Sequence, residues 1–143
     1  MRLFILALAM ATAPLALAAE RNAEARKNDA EARKNLVGTW KGRVDEGATG
    51  HLLTFTTTGI SGTKDRKQYL GAGTFKLDLT QKPWRMDATG TKGPQRGRKY
   101  LGIYSLEDDV LKWCVSLPGS ERPKEFATKE SQFLLILKRQ KEE

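Results

Sequence analysis

Two residue types that build many active sites are nearly absent: the 143-residue chain holds one cysteine, Cys114, and one histidine, His51. A single cysteine cannot close an intramolecular disulfide, so the fold must rest on its core. It also excludes the thiolate clusters that hold soft metals, and a single histidine excludes two-histidine zinc sites and H-E-x-x-H motifs. Triads served by a neighbouring histidine fail for the same reason. The glycines of Gly71-Ala72-Gly73 have no helix after them, so no phosphate cradle is built there. No block of five or more like charges occurs, so the net charge of +8 is dispersed over a solvated basic surface. These absences leave no catalytic residue, no metal ligand set and no cofactor to assign, and a non-enzymatic protein is expected.

The few chemistry-bearing residues have structural readings beside their functional ones. Cys114 lies between Trp113 and Val115 and reads as a small buried hydrophobe, with a nucleophile or an intermolecular bridge as the other roles open to it. Glu107-Asp108-Asp109 could serve acid–base work or calcium, but three acids between two apolar runs read as a turn. His51 reads as a surface residue at a strand start, with ligand contact as the alternative. Arg96, Arg98, Lys99 and Tyr100, with Lys64, Arg66 and Lys67, interleave bases with an aromatic. Single-stranded nucleic acid would need exposed stacking faces beside them. Most aromatics fall on inward faces instead, so no nucleic-acid partner is expected.

What is present begins with a positive start at Met1-Arg2, an apolar run over residues 3–19, and Ala16-Leu17-Ala18 at its end. These are the parts of a secretory signal peptide spanning residues 1–18, cleaved after Ala18. The run falls short of the about 20 apolar residues a spanning helix needs, so no membrane span is expected after cleavage. The expected location is periplasmic or secreted, and loss of Arg2 lowers the net charge from +8 to +7. Residues 19–35 follow as a charged spacer in which N-A-E-A-R-K-N and D-A-E-A-R-K-N are a seven-residue duplication. Good helix formers, with Glu24 and Lys27, Glu31 and Lys34, and Asp29 and Arg33 at helical spacings, predict a partly helical segment. Its apolar side chains are alanines only, so it reads as a solvent-exposed tether rather than a coiled coil. Docking of a partner helix on those alanines is the other reading.

From residue 36 the texture changes to short β-type runs broken by Gly, Pro, Asp and Lys. Strands are predicted over 36–44, 51–57, 60–63, 73–79, 84–88, 99–106, 111–116 and 132–139. The run from Lys99 to Ser116 is the clearest, a hairpin about Asp108-Asp109. Its pairing sets Leu106 opposite Leu111, Tyr104 opposite Trp113 and Gly102 opposite Val115 on an apolar face. Ser105 with Lys112 and Ile103 with Cys114 take the other face. Residues 132–139, Q-F-L-L-I-L-K-R, are apolar on both faces and so are expected to be covered on both. About eight strands without helical patterns between them predict an antiparallel sandwich or closed barrel. A barrel also removes exposed edges.

Gly38-Thr39-Trp40 on the first strand resembles the G-x-W signature that opens lipocalins. Leu137-Lys138-Arg139 resembles their closing strand, whose basic residue stacks over that tryptophan. A guanidinium over an indole gains roughly 0.5–2 kcal/mol while sealing the barrel end. Further motifs extend the likeness: G-T-F-K-L-D at 73–78, K-P at 82–83, G-P at 93–94, L-G-I-Y-S-L at 101–106, L-K-W-C at 111–114 and R-P-K-E-F at 122–126. Together they resemble the uncharacterised lipocalin-like domain expanded in planctomycete bacteria, commonly in exported proteins. The likeness covers residues 36–139 and departs at Asp108-Asp109, where Asp-Gly is usual, and at Trp84 and Trp113, where smaller or charged residues are common. It implies an all-β, antiparallel, about eight-stranded lipocalin-like barrel over 36–143, closed by Gly38, Trp40 and Arg139. It implies no activity.

An eight-stranded barrel is either filled by side chains or hollow enough for one small molecule. The expected inward residues are Trp40, Leu53, Phe55, Phe75, Leu77, Trp84, Met86, Tyr104, Leu106, Leu111, Trp113 and Val115. A small apolar ligand would meet Trp40, Phe55, Phe75, Trp84, Met86, Tyr104 and Trp113, with the Tyr104 hydroxyl orienting a polar end. In the second reading the barrel is solid, and the basic loops 64–67 and 96–99 contact an anionic component of the cell envelope.

Overall fold

The computed structural model describes residues 13–45 and 47–141. The helix-forming composition of the N-terminal stretch is realised as one helix, α1 (Ala13–Leu36). The expected cleavage point after Ala18 lies within it, and residues 1–12 of the expected signal peptide lie outside the described residues. Residues 15–28 of α1 are exposed, whereas Asp29, Ala32, Arg33 and Leu36 turn toward the sheet. Those four recur at helical spacing along one stripe, so the last two turns pack as part of the barrel. The alanine-only reading of the spacer missed this, because the contact is made by a guanidinium and by Leu36 rather than by the alanines.

Nine strands follow: β1 (Gly38–Val44), β2 (Thr49–Phe55), β3 (Gly59–Lys64), β4 (Gln68–Asp78), β5 (Trp84–Lys92), β6 (Lys99–Tyr100), β7 (Gly102–Glu107), β8 (Val110–Ser116) and β9 (Gln132–Arg139). They pair antiparallel in the order β4-β3-β2-β1-β9-β8-β7-β5, and β4 pairs β5 to close the ring. β6 lies beside β5 and continues into β7 across Leu101. The expected all-β barrel is therefore formed, with eight strands around the ring among the described residues. The β7–β8 register has Leu106 opposite Leu111, Tyr104 opposite Trp113 and Gly102 opposite Val115, as its alternation predicts. Asp108 and Asp109 make the turn at φ 50° and 60°, the left-handed region that a two-residue hairpin demands.

Two strands are longer than the pattern indicates. β4 starts at Gln68 rather than Gly73, and β5 runs to Lys92 rather than Ala88. Apart from Tyr69, Leu70 and Ala72 the added residues are glycine or polar, and they join the ladder through irregularities at Gly62/Thr63 and Ala72/Gly73. Backbone pairing needs no side chain, so composition hides it.

The main core fills the barrel from Leu36 and Trp40 through Phe55, Phe75 and Met86 to Leu111 and Trp113. Phe55 sets its edge to Phe75 at a centroid separation of 5.4 Å, the geometry aromatic quadrupoles favour. A second, smaller core lies outside the barrel wall, where Ile103, Cys114 and Leu134 are covered by Phe126 and Ile136. Both faces of β9 are thus covered. Cys114 is fully buried there, its thiol donating to Ala127 O at 3.4 Å, and burial pushes its pKa up.

At Gly102 the β5–β7 ladder is carried by side chains. Asp87 accepts from Gly102 N at 3.2 Å, while Arg122 donates to Gly102 O at 2.9 Å and forms a two-pronged pair with Asp87. From inside, the Trp113 indole donates to Met86 O at 3.1 Å. A Cβ on Gly102 would stand 2.5 Å from that indole nitrogen, so only glycine fits. The Asp87–Arg122 pair also ties the 117–131 connection, and with it Phe126, to the wall. Its carboxylate raises the Arg122 pKa further.

Candidate functional site

The two barrel ends differ. At one end, α1 lies across the mouth: Arg33 donates to Thr57 O at 2.9 Å and Phe75 O at 3.0 Å and sits 4.6 Å over the Phe75 ring. Leu36 is fully buried and accepts from Trp40 Nε1 at 2.9 Å. Arg139 lies 4.3 Å over the same indole and donates to Val37 O and Asn35 O, two carbonyls at the helix end. Gly38, at φ 135°, leaves room for that guanidinium, which a Cβ would meet at 3.2 Å.

The other end holds an apolar cavity of about 250 Å³. Leu53, Trp113, Val115 and Leu135 form its wall toward the core, and Ile60, Leu70, Ala88 and Phe133 form its sides. Gly62, Gly71, Ala72, Gly73, Ala88 and Gly90 also line it, the glycines where strands or the β5–β6 connection approach closely. Polar groups gather on its rim: His51, Ser61, Gln95 and Tyr100, with the Tyr100 hydroxyl donating to Gln95 Oε1. His51 is half-buried on β2 rather than at a surface strand start, and its Nδ1 has no hydrogen-bond partner among the described residues. Burial and, second, the neighbouring Lys64 charge lower its pKa, against a smaller opposing effect of Asp65.

Of the seven side chains expected to meet a ligand, Trp113 lines this cavity. Trp40, Phe55, Phe75 and Met86 are core side chains packed between the two ends. Trp84 and Tyr104 line a separate cleft of about 520 Å³ at the helix end, shared with Asn28, Glu31, Asn35, Asp108 and Arg139. There burial pushes the Tyr104 hydroxyl up to about 12, so it is a neutral donor at physiological pH. That cleft mixes charged and amide groups with Ala32, Leu79, Trp84, Tyr104 and Leu106 in nearly equal measure, whereas binding cavities for small organic molecules are mostly apolar with a few placed polar groups. The apolar cavity is the better candidate.

Sequence reading passed over Gly62, Leu70, Ala88, Tyr100, Phe133 and Leu135. The signal was the parity of small residues: Gly62 pairs with Leu53 and Ala88 pairs with Phe75, each small residue opposite a large inward one.

Among the described residues no cluster of three His, Cys, Asp or Glu is placed to hold a metal, and no helix is long and apolar enough to cross a membrane. Comparison of the chain with protein-family models, with curated proteins and with solved structures gives no match.

Proposed function

We propose that this is an exported, non-enzymatic binding protein of the lipocalin-like class that the sequence resembles, holding one small apolar molecule in the cavity above Trp113. The observation that carries the reading is the cavity itself, about 250 Å³ walled by aliphatic and aromatic side chains and six glycine and alanine residues. A dry cavity of about 150 Å³ accepts benzene, so this one suits a ligand of about ten non-hydrogen atoms. Titration with 1-octanol tests it through the three indole N–H resonances. The Trp113 signal is expected to move and the Trp40 signal to stay. Ala88→Leu, which places an isobutyl group in the cavity, is expected to abolish the shift while the barrel stays folded. An unmoved Trp113 signal, or an unaffected response in the Ala88→Leu protein, would contradict the proposal.

A further inference from the structure

The charge on the ligand follows from which end of the barrel is open. At the covered end the two arginines nearest the mouth are paired, Arg33 with Asp29 at 2.9 Å and Arg139 with Asp109 at 2.9 Å, while Lys34 and Lys82 form no ion pair among the described residues. At the cavity end the β3–β4 turn carries Lys64, Arg66 and Lys67 with one acid, Asp65, and the β5–β6 connection carries Lys92, Arg96 and Arg98. None of these six bases forms an ion pair among the described residues. Both connections leave strands that line the cavity, and Gln95, within the second, is part of its rim. His51 stands directly opposite Lys64 in the β2–β3 register, with its Nδ1 buried and unpartnered beside the apolar wall. The arrangement runs from an apolar floor, through a rim of hydrogen-bonding groups, to the six bases of two adjacent connections.

We propose that the cavity ligand is an acidic amphiphile, a medium-chain carboxylate whose tail rests on Trp113 and whose head lies at His51 and Lys64. The inference rests on the cavity reading above and adds the head group to it. An anion at the rim gains charge-assisted hydrogen bonds and the field of the two basic connections, and it favours the protonated form of His51. A neutral head of the same length gains none of these.

The test compares octanoate with 1-octanol on the full chain at low salt. Octanoate is expected to bind about tenfold more tightly, the worth of one hydrogen bond to a charged partner. The advantage should shrink in 0.5 M salt and in Lys64→Gln, a surface substitution. His51 supplies a second readout, because it is the only histidine and its imidazole signals need no assignment. Its pKa is expected to rise when octanoate is added and to stay unchanged with 1-octanol. Equal affinities with an unmoved His51 pKa would overturn the acidic head group and leave the cavity reading standing. No response to either probe would overturn both. A third arm uses phosphatidylglycerol vesicles: vesicle binding that octanoate does not displace, together with no octanoate preference, would assign the basic connections to a lipid surface instead.

Discussion

Arg139 and Trp40 face each other across the β1–β9 pair, with the guanidinium carbon 4.3 Å from the indole centroid. The same guanidinium donates to Val37 O at 2.8 Å, Asn35 O at 2.5 Å and Asp109 Oδ1 at 2.9 Å. One side chain therefore joins the closing strand, the opening strand, the helix end and the β7–β8 turn. Arg139→Ala should cost about 2–3 kcal/mol, combining the lost cation–π contact with unpartnered helix-end carbonyls. Arg139→Lys should recover less than half, since an ammonium cannot reach all these acceptors. Urea denaturation measures both, and equal stability of the Lys variant and the parent would refute the bridging role.

The turn residue Asp109 explains a departure from the usual Asp-Gly pair. At φ 60° a glycine would be less strained, worth about 0.5–1 kcal/mol. Asp109 nevertheless accepts from Arg139 Nε through its carboxylate and from Arg139 N through its carbonyl. Asp109→Gly should thus be close to neutral in the parent and stabilising by about 0.5–1 kcal/mol in the Arg139→Ala background. Simple additivity in the double-mutant cycle would show that the carboxylate does not compensate for the backbone.

The Asp87–Arg122 pair should govern access to Cys114. Ala127 accepts the Cys114 thiol and belongs to the same connection as Arg122. With the thiol buried and its pKa raised, reaction with a disulfide reagent at pH 8 should be slow in the parent. Asp87→Asn weakens a two-pronged charged pair and should speed that reaction about tenfold, as local opening becomes about 1.4 kcal/mol easier. Faster exchange of the Gly102 amide should accompany it. An unchanged thiol rate would show that the connection is held by Phe126 packing alone.

His51 sets a pH dependence of known sign. Its folded pKa lies below the ordinary histidine value of 6.5, so between the two values the unfolded chain binds more protons. The contribution to stability is then complete above about pH 6.5 and is lost as the pH falls through the folded pKa. Thermal midpoints at pH 7.5 and pH 5.5 should differ in that direction, and His51→Gln should reduce the difference. Carboxylates contribute lower on the scale: Asp78, whose pKa is lowered first by the Thr80 hydroxyl and then by the Thr80 amide, loses its contribution only below the ordinary aspartate value of about 3.8. A midpoint that rises on acidification would contradict the assignment.

The hairpin was legible because alternation of large side chains is a local signal, whereas the closed ring, as against a sandwich, and the approach of Trp40 to Arg139 were implied by the lipocalin resemblance. Tyr104 faces Trp113 and Leu106 faces Leu111 in the register that their spacing dictates. The cavity was not legible for the opposite reason. It is lined in large part by small residues on β3, β4 and β5, and a glycine such as Gly71 or Gly90 reads alone as a loop. Only the closure of β4 on β5 brings them together. The docking of α1 was hidden similarly, since Arg33 and Leu36 separately look like a solvated base and a strand start.

The most direct measurement of the central claim is the set of magnetisation-transfer contacts from the terminal methyl group of carbon-13-labelled octanoate to the protein. Contacts are expected to Trp113, Val115 and Leu135, which line the apolar cavity, and none to Trp84 or Leu79 in the helix-end cleft. Contacts confined to that cleft, or none while binding is saturated, would contradict the claim.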